Sequence, residues 1–114
     1  MQRILVVEDD FDIQELLQNF LQEAGYEVAV ANDGVEALSL FAGERYDLIV
    51  LDIMLPKIDG YGVCEVIRRK SNIPIVMLTA LDAEENQIKG LDLEADDYIT
   101  KPFSMSVLIR KIAA

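Results

Sequence analysis

Residues 47–60 read DLIVLDIMLPKIDG, and the first half of this stretch decides the fold. The run at 47–51 is too apolar to be a strand with one solvated face. It therefore predicts a central strand of a parallel sheet that is covered on both sides. Asp52 follows at once, and the segment from Pro56 to Gly60 predicts a loop. Helices must then cover both faces of the sheet.

The segments on either side repeat this pattern, because short apolar runs alternate with helical periodicity along the chain. Further strands are predicted at 3–7, 27–31, 73–78 and 98–100. Helices are predicted at 11–24, 34–42, 60–70, 83–91 and 104–113. Five β-α units predict an α/β fold, a doubly wound three-layer sandwich of the flavodoxin-like kind. The alternating polarity of 27–31 places that strand at an edge, which favours the parallel order 2-1-3-4-5.

The first predicted helix carries one apolar stripe. Its members recur at spacings of three and four residues: Ile13, Leu16, Leu17, Phe20, Leu21 and Ala24. We expect this stripe to face the sheet. Asp10 precedes the helix, and a capping role and a role in a site suit it equally well.

Length and composition predict one folded domain. The chain has 114 residues, 52% of them hydrophobic, and no apolar run approaches the roughly 20 residues needed to cross a membrane. The one cysteine, Cys64, cannot form an internal disulfide, and we expect it to be a packing residue. No secretory signal is recognisable, so we expect a cytoplasmic protein with no membrane partner.

The charged residues restrict both partners and chemistry. With 21 acidic and 10 basic residues the net charge is −11, which opposes direct binding to nucleic acid. The sequence contains no histidine, the commonest general base and the commonest nitrogen ligand for transition metals. Chemistry must then rely on carboxylates, Thr and Lys, and this set suits Mg²⁺ better than Zn²⁺.

Polar residues stand where the predicted strands end. The ends of strands one, three, four and five are followed by Glu8 and Asp9, Asp52, Thr79 and Lys101, respectively. In an open α/β sheet, ligands bind beyond the carboxyl ends of the strands, at the point where the strand order reverses. Converging carboxylates repel one another unless a cation neutralises them. We therefore predict a divalent cation that bridges two of these acids to a phosphate, with Lys101 balancing the remaining charge.

Four blocks carry a resemblance to a known family. They are VVEDD at 6–10, DLIVLDIMLPKIDG at 47–60, IPIVMLTA at 73–80 and ADDYITKPF at 95–103. Their order and spacing resemble those of response-regulator receiver domains over essentially the whole chain. The block EADDYITKPFS resembles the OmpR/PhoB subfamily of transcriptional regulators.

The resemblance implies a phosphorylation site with a metal. Glu8 and Asp9 resemble the acidic pair that holds Mg²⁺ (or Mn²⁺). Asp52 resembles the phosphoacceptor, which is also a metal ligand, and Met54 would add its backbone carbonyl to the metal.

The same resemblance implies a switch. Thr79 and Lys101 resemble the hydroxyl and the ammonium that bind phosphoryl oxygens, and Tyr98 resembles the aromatic residue that turns inward as Thr79 moves. The surface of the fourth helix, fifth strand and fifth helix would then change partners. The alternative for Tyr98 is permanent packing at the edge of the core.

The implied partners are a sensor histidine kinase, which supplies the phosphoryl group, and a second copy of the chain. Charged residues of the switch surface that would pair in a homodimer are Lys89, Asp96, Asp97, Arg110 and Lys111. Leu93 and Val107 stand where charge is expected, so the ion-pair set is incomplete. We expect residues 1–114 to be the receiver domain, with DNA contacted only by an output domain outside this sequence.

Met54 and Leu81 depart from the polar residues that help to position a water molecule in other receivers. Both are apolar, so we predict that an acyl phosphate on Asp52 is shielded and long-lived.

Three other functions remain open. A binding module of the same fold that has lost its response to phosphate conflicts with the complete site set. A hydrolase with an aspartate nucleophile would need a second acid two residues after Asp52, where Met54 stands. A flavin carrier would need a Gly/Ser/Thr-rich phosphate loop after the first strand and would meet repulsion from the acids.

Overall fold

The strands and helices follow the predicted alternation closely. The structure is a computed structural model that describes residues 2–55, 57–79 and 97–100, and positions 106, 108, 110 and 112. The elements are β1 Arg3–Val7, α1 Phe11–Glu23, β2 Glu27–Ala31, α2 Gly34–Gly43, β3 Leu48–Asp52, α3 Gly60–Arg68, β4 Ile75–Thr79 and β5 Asp97–Thr100. Positions 106, 108, 110 and 112 are helical, as the predicted last helix requires. The helix predicted at 83–91 lies outside the described residues.

The five strands form one parallel sheet in the order β2-β1-β3-β4-β5, which confirms the predicted topology. β4 begins at Ile75 rather than at the predicted position 73. Pro74 has no N–H to donate to the ladder, although its carbonyl accepts from the Ile49 N–H at 3.0 Å. β3 includes Asp52, because its backbone still pairs with Leu78 of β4.

Alternate residues of the central strands supply two cores, one on each face of the sheet. On one face Leu5, Val7, Ile49, Leu51, Ile75 and Met77 pack with residues of α2 and α3. On the other face Ile4, Val6, Val50 and Leu78 pack with Leu17 and Leu21 of α1 and with Leu108 and Ile112. Helices therefore cover both faces, which confirms the three-layer sandwich.

The burial pattern of α1 differs from the predicted apolar stripe. Leu17 and Leu21 are buried, but Leu16 and Phe20 are 52% and 37% exposed. Ala24, the last predicted member of the stripe, is the exposed C-cap beyond the helix end. Gln14 takes the third buried position, since positions 14, 17 and 21 follow the i, i+3, i+7 spacing of one helix face. Leu16 lies about 100° around the helix from Leu17 and so falls on the flank of the buried face.

The α3 helix packs Val63, Cys64 and Ile67 into the core without exposure. Cys64 is a free, buried cysteine, as the prediction of a packing residue requires. Among the described residues, no helix combines the length and the apolar character needed to cross a membrane.

Candidate functional site

The sheet brings three acids together at its carboxyl edge. Glu8 follows β1 and Asp52 ends β3, and these strands are neighbours with Val7 paired to Leu51. Ligand oxygens of Glu8, Asp9 and Asp52 all lie within 4.8 Å of one another. Glu8 and Asp52 are only 0% and 2% exposed, whereas Asp9 is exposed. The predicted convergence of these acids is thus present.

Backbone N–H groups orient the two buried carboxylates. The Asp10 N–H donates to Glu8 Oε1 at 3.1 Å, and the Met54 N–H donates to Asp52 Oδ1 at 3.1 Å. In both cases the donor lies two residues after the acid. Each hydrogen bond fixes the plane of its carboxylate.

The donor chemistry of this group fits a hard divalent cation. Three carboxylates this close repel one another, and two of them have lost most of their contact with water. Oxygen-only sets with one or two direct carboxylates are what Mg²⁺ uses, and Mn²⁺ accepts the same ligands. The chain's own residues therefore form an acidic pocket suited to Mg²⁺ or Mn²⁺.

Asp10 acts as the cap of α1. Its side chain accepts from the backbone N–H groups of Asp12 at 2.9 Å and Ile13 at 3.2 Å. These two bonds satisfy donors at the start of the helix. The structure therefore assigns Asp10 to helix capping, one of the two roles the sequence allowed.

The loop after Asp52 folds back on the strand end that it leaves. The Gly60 N–H donates to the Ile53 carbonyl at 2.9 Å, and the Ile53 N–H donates to the Leu78 carbonyl at 3.0 Å. Met54 projects from this loop with 62% of its surface exposed. The first turn of α3 thus rests against the backbone at Asp52 and Ile53.

The same loop is attached to α2, a contact that the sequence analysis missed. Lys57 has a positive φ of 69°, and its Nζ lies 3.3 Å from Oδ2 of Asp33, the N-cap of α2. Gly34 follows, and a Cβ there would lie 2.3 Å from the Ile58 carbonyl oxygen. The available signal was the pair Asp-Gly at 33–34, which is repeated at 59–60.

The Asp33 carboxylate has a lowered pKa. The main cause is the hydrogen bond that it accepts from the Glu36 N–H at 2.8 Å, and Lys57 adds to the effect. Partial burial opposes this shift. Asp33 thus remains charged while it caps α2 and holds the loop.

Gln14 is the second residue that the sequence analysis missed. Its side-chain amide donates to the Glu8 carbonyl and, at 2.7 Å, to Asn32 Oδ1. Its place in an otherwise apolar face was the available signal. Gln14 thus connects α1 with the ends of β1 and β2.

Four of the remaining predicted site residues, Thr79, Asp97, Tyr98 and Arg110, are among the described residues. Thr79 ends β4 and pairs with Thr100 of β5, and Tyr98 of β5 pairs with Met77. Of the predicted dimer residues, Asp97 begins β5, and Arg110 is helical and exposed. The other predicted positions fall outside the described residues: Leu81, Lys89, Leu93, Asp96, Lys101, Val107 and Lys111.

A sequence model of one protein family, described as the response regulator receiver domain, matches residues 4–113. The chain belongs to the response regulator receiver family. The receiver domain is 52% identical over 110 residues to the probable transcriptional regulator ycf27 of Cyanophora paradoxa, covering 96% of the chain and 46% of that protein. It is 47% identical over 112 residues to the regulatory protein VanRB of Enterococcus faecalis, covering 98% and 51%. The chain spans about half the length of the curated relatives it matches.

Solved structures give the same result for the fold. The receiver domain of the Francisella response regulator 1452 has a TM-score of 0.94 at 40% identity, covering 99% of this chain and 94% of that one. The BeF3-activated N-terminal receiver domain of Klebsiella pneumoniae RstA has a TM-score of 0.94 at 38% identity, covering 98% and 96%. The receiver fold and the OmpR/PhoB-like character predicted from the sequence are confirmed.

Proposed function

We propose that this receiver domain accepts a phosphoryl group on Asp52 from a phosphohistidine of a sensor histidine kinase. The observation that supports it best is the buried Asp52 carboxylate, which shares a 4.8 Å cluster with Glu8 and Asp9. A carboxylate oxygen of Asp52 attacks phosphorus, and the new O–P bond forms as the P–N bond of the phosphohistidine breaks. The imidazole leaves with the electron pair and takes up a proton from water.

Glu8, Asp9 and Asp52 would hold Mg²⁺ (or Mn²⁺) in this function, together with the backbone carbonyl of Met54. When bound, the ion neutralises charge on the transferring phosphoryl group. The residues of the chain do the positioning. The Met54 N–H holds one oxygen of Asp52, and the Asp10 N–H holds Glu8.

Thr79 and Lys101 complete the proposed phosphoryl site. Support for Thr79 comes from its place at the end of β4, next to the strand that carries Asp52. In this proposal Thr79 and Tyr98 rearrange on phosphorylation and change the surface formed by residues 83–113. Charged residues of that surface would then pair in a homodimer: Lys89, Asp96, Asp97, Arg110 and Lys111.

The biological output proposed for residues 1–114 is control of transcription. It rests on the names of the relatives, one a probable transcriptional regulator and one a regulatory protein, each about twice as long as this chain. The receiver domain would act in the cytoplasm and leave DNA contact to an output domain, because its charge of −11 opposes binding to phosphates.

Intact-mass spectrometry after incubation with acetyl phosphate and Mg²⁺ tests the proposal. We expect one added phosphoryl group on the native chain and none on Asp52→Asn. Asp10→Asn is the matched control, since Asn caps helices as well as Asp does, and it should be phosphorylated normally. Phosphorylation of Asp52→Asn to the native extent, or none on the native chain, would overturn the proposal. A beryllofluoride titration that leaves the Tyr98 resonances unchanged would instead favour a module without a phosphate response.

A further inference from the structure

We propose that Gln14 is a positioning residue for the acidic pair Glu8 and Asp9, an inference that rests on the proposed metal-dependent function. Among the residues that the structure describes, the buried acidic and amide side chains are Glu8, Gln14 and Asp52. Two of these are acids of the site. The third touches the backbone of one of them.

Gln14 contacts the backbone directly after the last paired residue of β1. Val7 is the last residue of β1 paired with both neighbouring strands, opposite Ala31 and Leu51. The Glu8 N–H still donates to the Ala31 carbonyl at 3.1 Å. On the other side of the residue, the Glu8 carbonyl accepts from the Gln14 side chain. The carbonyl of the peptide group between Glu8 and Asp9 is therefore held by a side chain of α1.

The chemistry requires a group with two donors on one nitrogen. Gln14 Nε2 donates to the Glu8 carbonyl and to Asn32 Oδ1, which uses both of its hydrogens. Asn32 in turn donates to both carboxylate oxygens of Glu36 in α2, at 3.3 and 3.4 Å. Through Asn32, the Gln14 amide is thus linked to α2 as well as to Glu8. A side chain of similar shape without N–H groups cannot make this connection.

The consequence concerns Asp9 most directly. Its side chain is exposed, so no surrounding core fixes its direction, and the path of its backbone sets where the carboxylate points. With Gln14 in place, the peptide group between Glu8 and Asp9 keeps one orientation. Both carboxylates then face Asp52 before any ion arrives, which is the effect of groups that orient metal ligands.

Titration with Mn²⁺ alone, by isothermal calorimetry and without a phosphodonor, tests this role. Gln14→Met keeps the length of the side chain and removes both donors. We expect its dissociation constant for Mn²⁺ to rise by about tenfold, the effect usual for residues that orient metal ligands. Gln22→Met, on the exposed side of α1, is the matched control and should bind Mn²⁺ like the native chain. A merely structural role would lower the melting temperature in EDTA and leave the dissociation constant unchanged, which would overturn the inference.

A second variant keeps the test decisive if Gln14→Met does not fold. Asn32→Ala removes the outer support of the Gln14 amide from an exposed position, while Asp33 still caps α2. It should weaken Mn²⁺ binding in the same direction, and native affinity in this variant would then overturn the inference. A native chain that binds no Mn²⁺ would overturn the proposed metal site as well. Native binding with unchanged variants would overturn the role of Gln14 alone.

Discussion

Gly60 lies directly against the backbone of Asp52. A Cβ at position 60 would stand 2.3 Å from the Asp52 carbonyl oxygen and 2.6 Å from the Cα of Ile53. Contacts this short do not occur for real Cβ atoms, so α3 can begin here only with glycine. The close approach places the first turn of α3 on the end of the strand that carries Asp52.

Gly60→Ala should therefore lower the free energy of unfolding by about 2 kcal/mol or more, because backbone rather than a flexible side chain must move. Urea unfolding followed by circular dichroism measures this change. Gly43→Ala, at the end of α2 with nothing within 4 Å of the added methyl group, is the control. It should be neutral or stabilising by up to about 1 kcal/mol, since alanine is the better helix residue. Equal effects of the two substitutions would contradict the steric argument.

The backbone conformation of Lys57 predicts that glycine is more stable than alanine at this position. With φ at 69°, Lys57 is in the left-handed region, where a Cβ costs about 1–2 kcal/mol. Its ion pair with Asp33 involves a side chain that is 63% exposed, so the pair adds little. Lys57→Gly should thus be more stable than Lys57→Ala by about 1 kcal/mol in urea unfolding. Alanine as the more stable of the two would show that the backbone strain is absent.

Asp33 predicts a dependence of stability on pH. Its pKa is lowered in the folded state, first by the Glu36 N–H and then by Lys57. A lowered folded pKa contributes stability above the unfolded pKa of about 3.9, and this contribution is lost as the pH falls through the folded pKa. Asp33→Asn keeps a capping oxygen but cannot titrate. The native advantage over Asp33→Asn should be full at pH 7 and shrink below about pH 4 in urea unfolding. An advantage independent of pH would contradict this assignment.

Tyr46 predicts a stabilising substitution. Its hydroxyl is buried and has no hydrogen-bond partner within the described parts of the chain, and burial raises its pKa, with Glu44 adding to the effect. Tyr46→Phe removes the unsatisfied group and keeps the ring, which lies 6.0 Å from the Arg3 guanidinium. The free energy of unfolding should rise by about 1 kcal/mol. Tyr26→Phe, at a half-buried position, should change it by less than about 0.5 kcal/mol. A loss of stability in Tyr46→Phe would mean that the hydroxyl has a partner.

Met54 predicts a slow loss of phosphate. Its exposed side chain stands two residues after Asp52, where it cannot hold a water molecule for attack on the acyl phosphate. After phosphorylation with acetyl phosphate and removal of the donor, the native chain should keep its phosphoryl group for minutes or longer by intact mass. Met54→Asn restores a polar group and should shorten this lifetime several-fold. Loss from the native chain within seconds would contradict the prediction.

The sequence predicted the part of the site that follows from the order of the strands. The apolar runs identify β1 and β3 as central parallel strands. Because parallel strands end at one edge of a sheet, Glu8 and Asp52 could be predicted to meet there. Periodicity could not separate the centre of the α1 stripe from its flank, so Leu16 and Phe20 were wrongly predicted to be buried. The polar residue at position 14 was visible in the sequence, but its hydrogen-bond partner could not be predicted, because that partner is a carbonyl at the end of another element.

The conformation of the loops could not be predicted from the sequence either. A lysine in the sequence does not indicate a positive φ. The ion pair between Lys57 and Asp33 could not be predicted either, because it depends on how two separate turns approach each other. The two Asp-Gly pairs did mark helix starts, at Asp33 and Asp59. Their glycines are explained by neighbours that only the folded chain supplies, Ile58 for one and Asp52 for the other.

The adjacency of β1 and β3 also makes the acidic cluster depend on the folding of the sheet. Glu8 and Asp9 leave the ribosome well before Asp52, and they gain their third acid only when β3 has paired beside β1. An unfolded or incomplete chain thus has the acidic residues but not the acidic cluster. In the proposed function, metal binding therefore depends on the paired strands and is lost when the sheet unfolds.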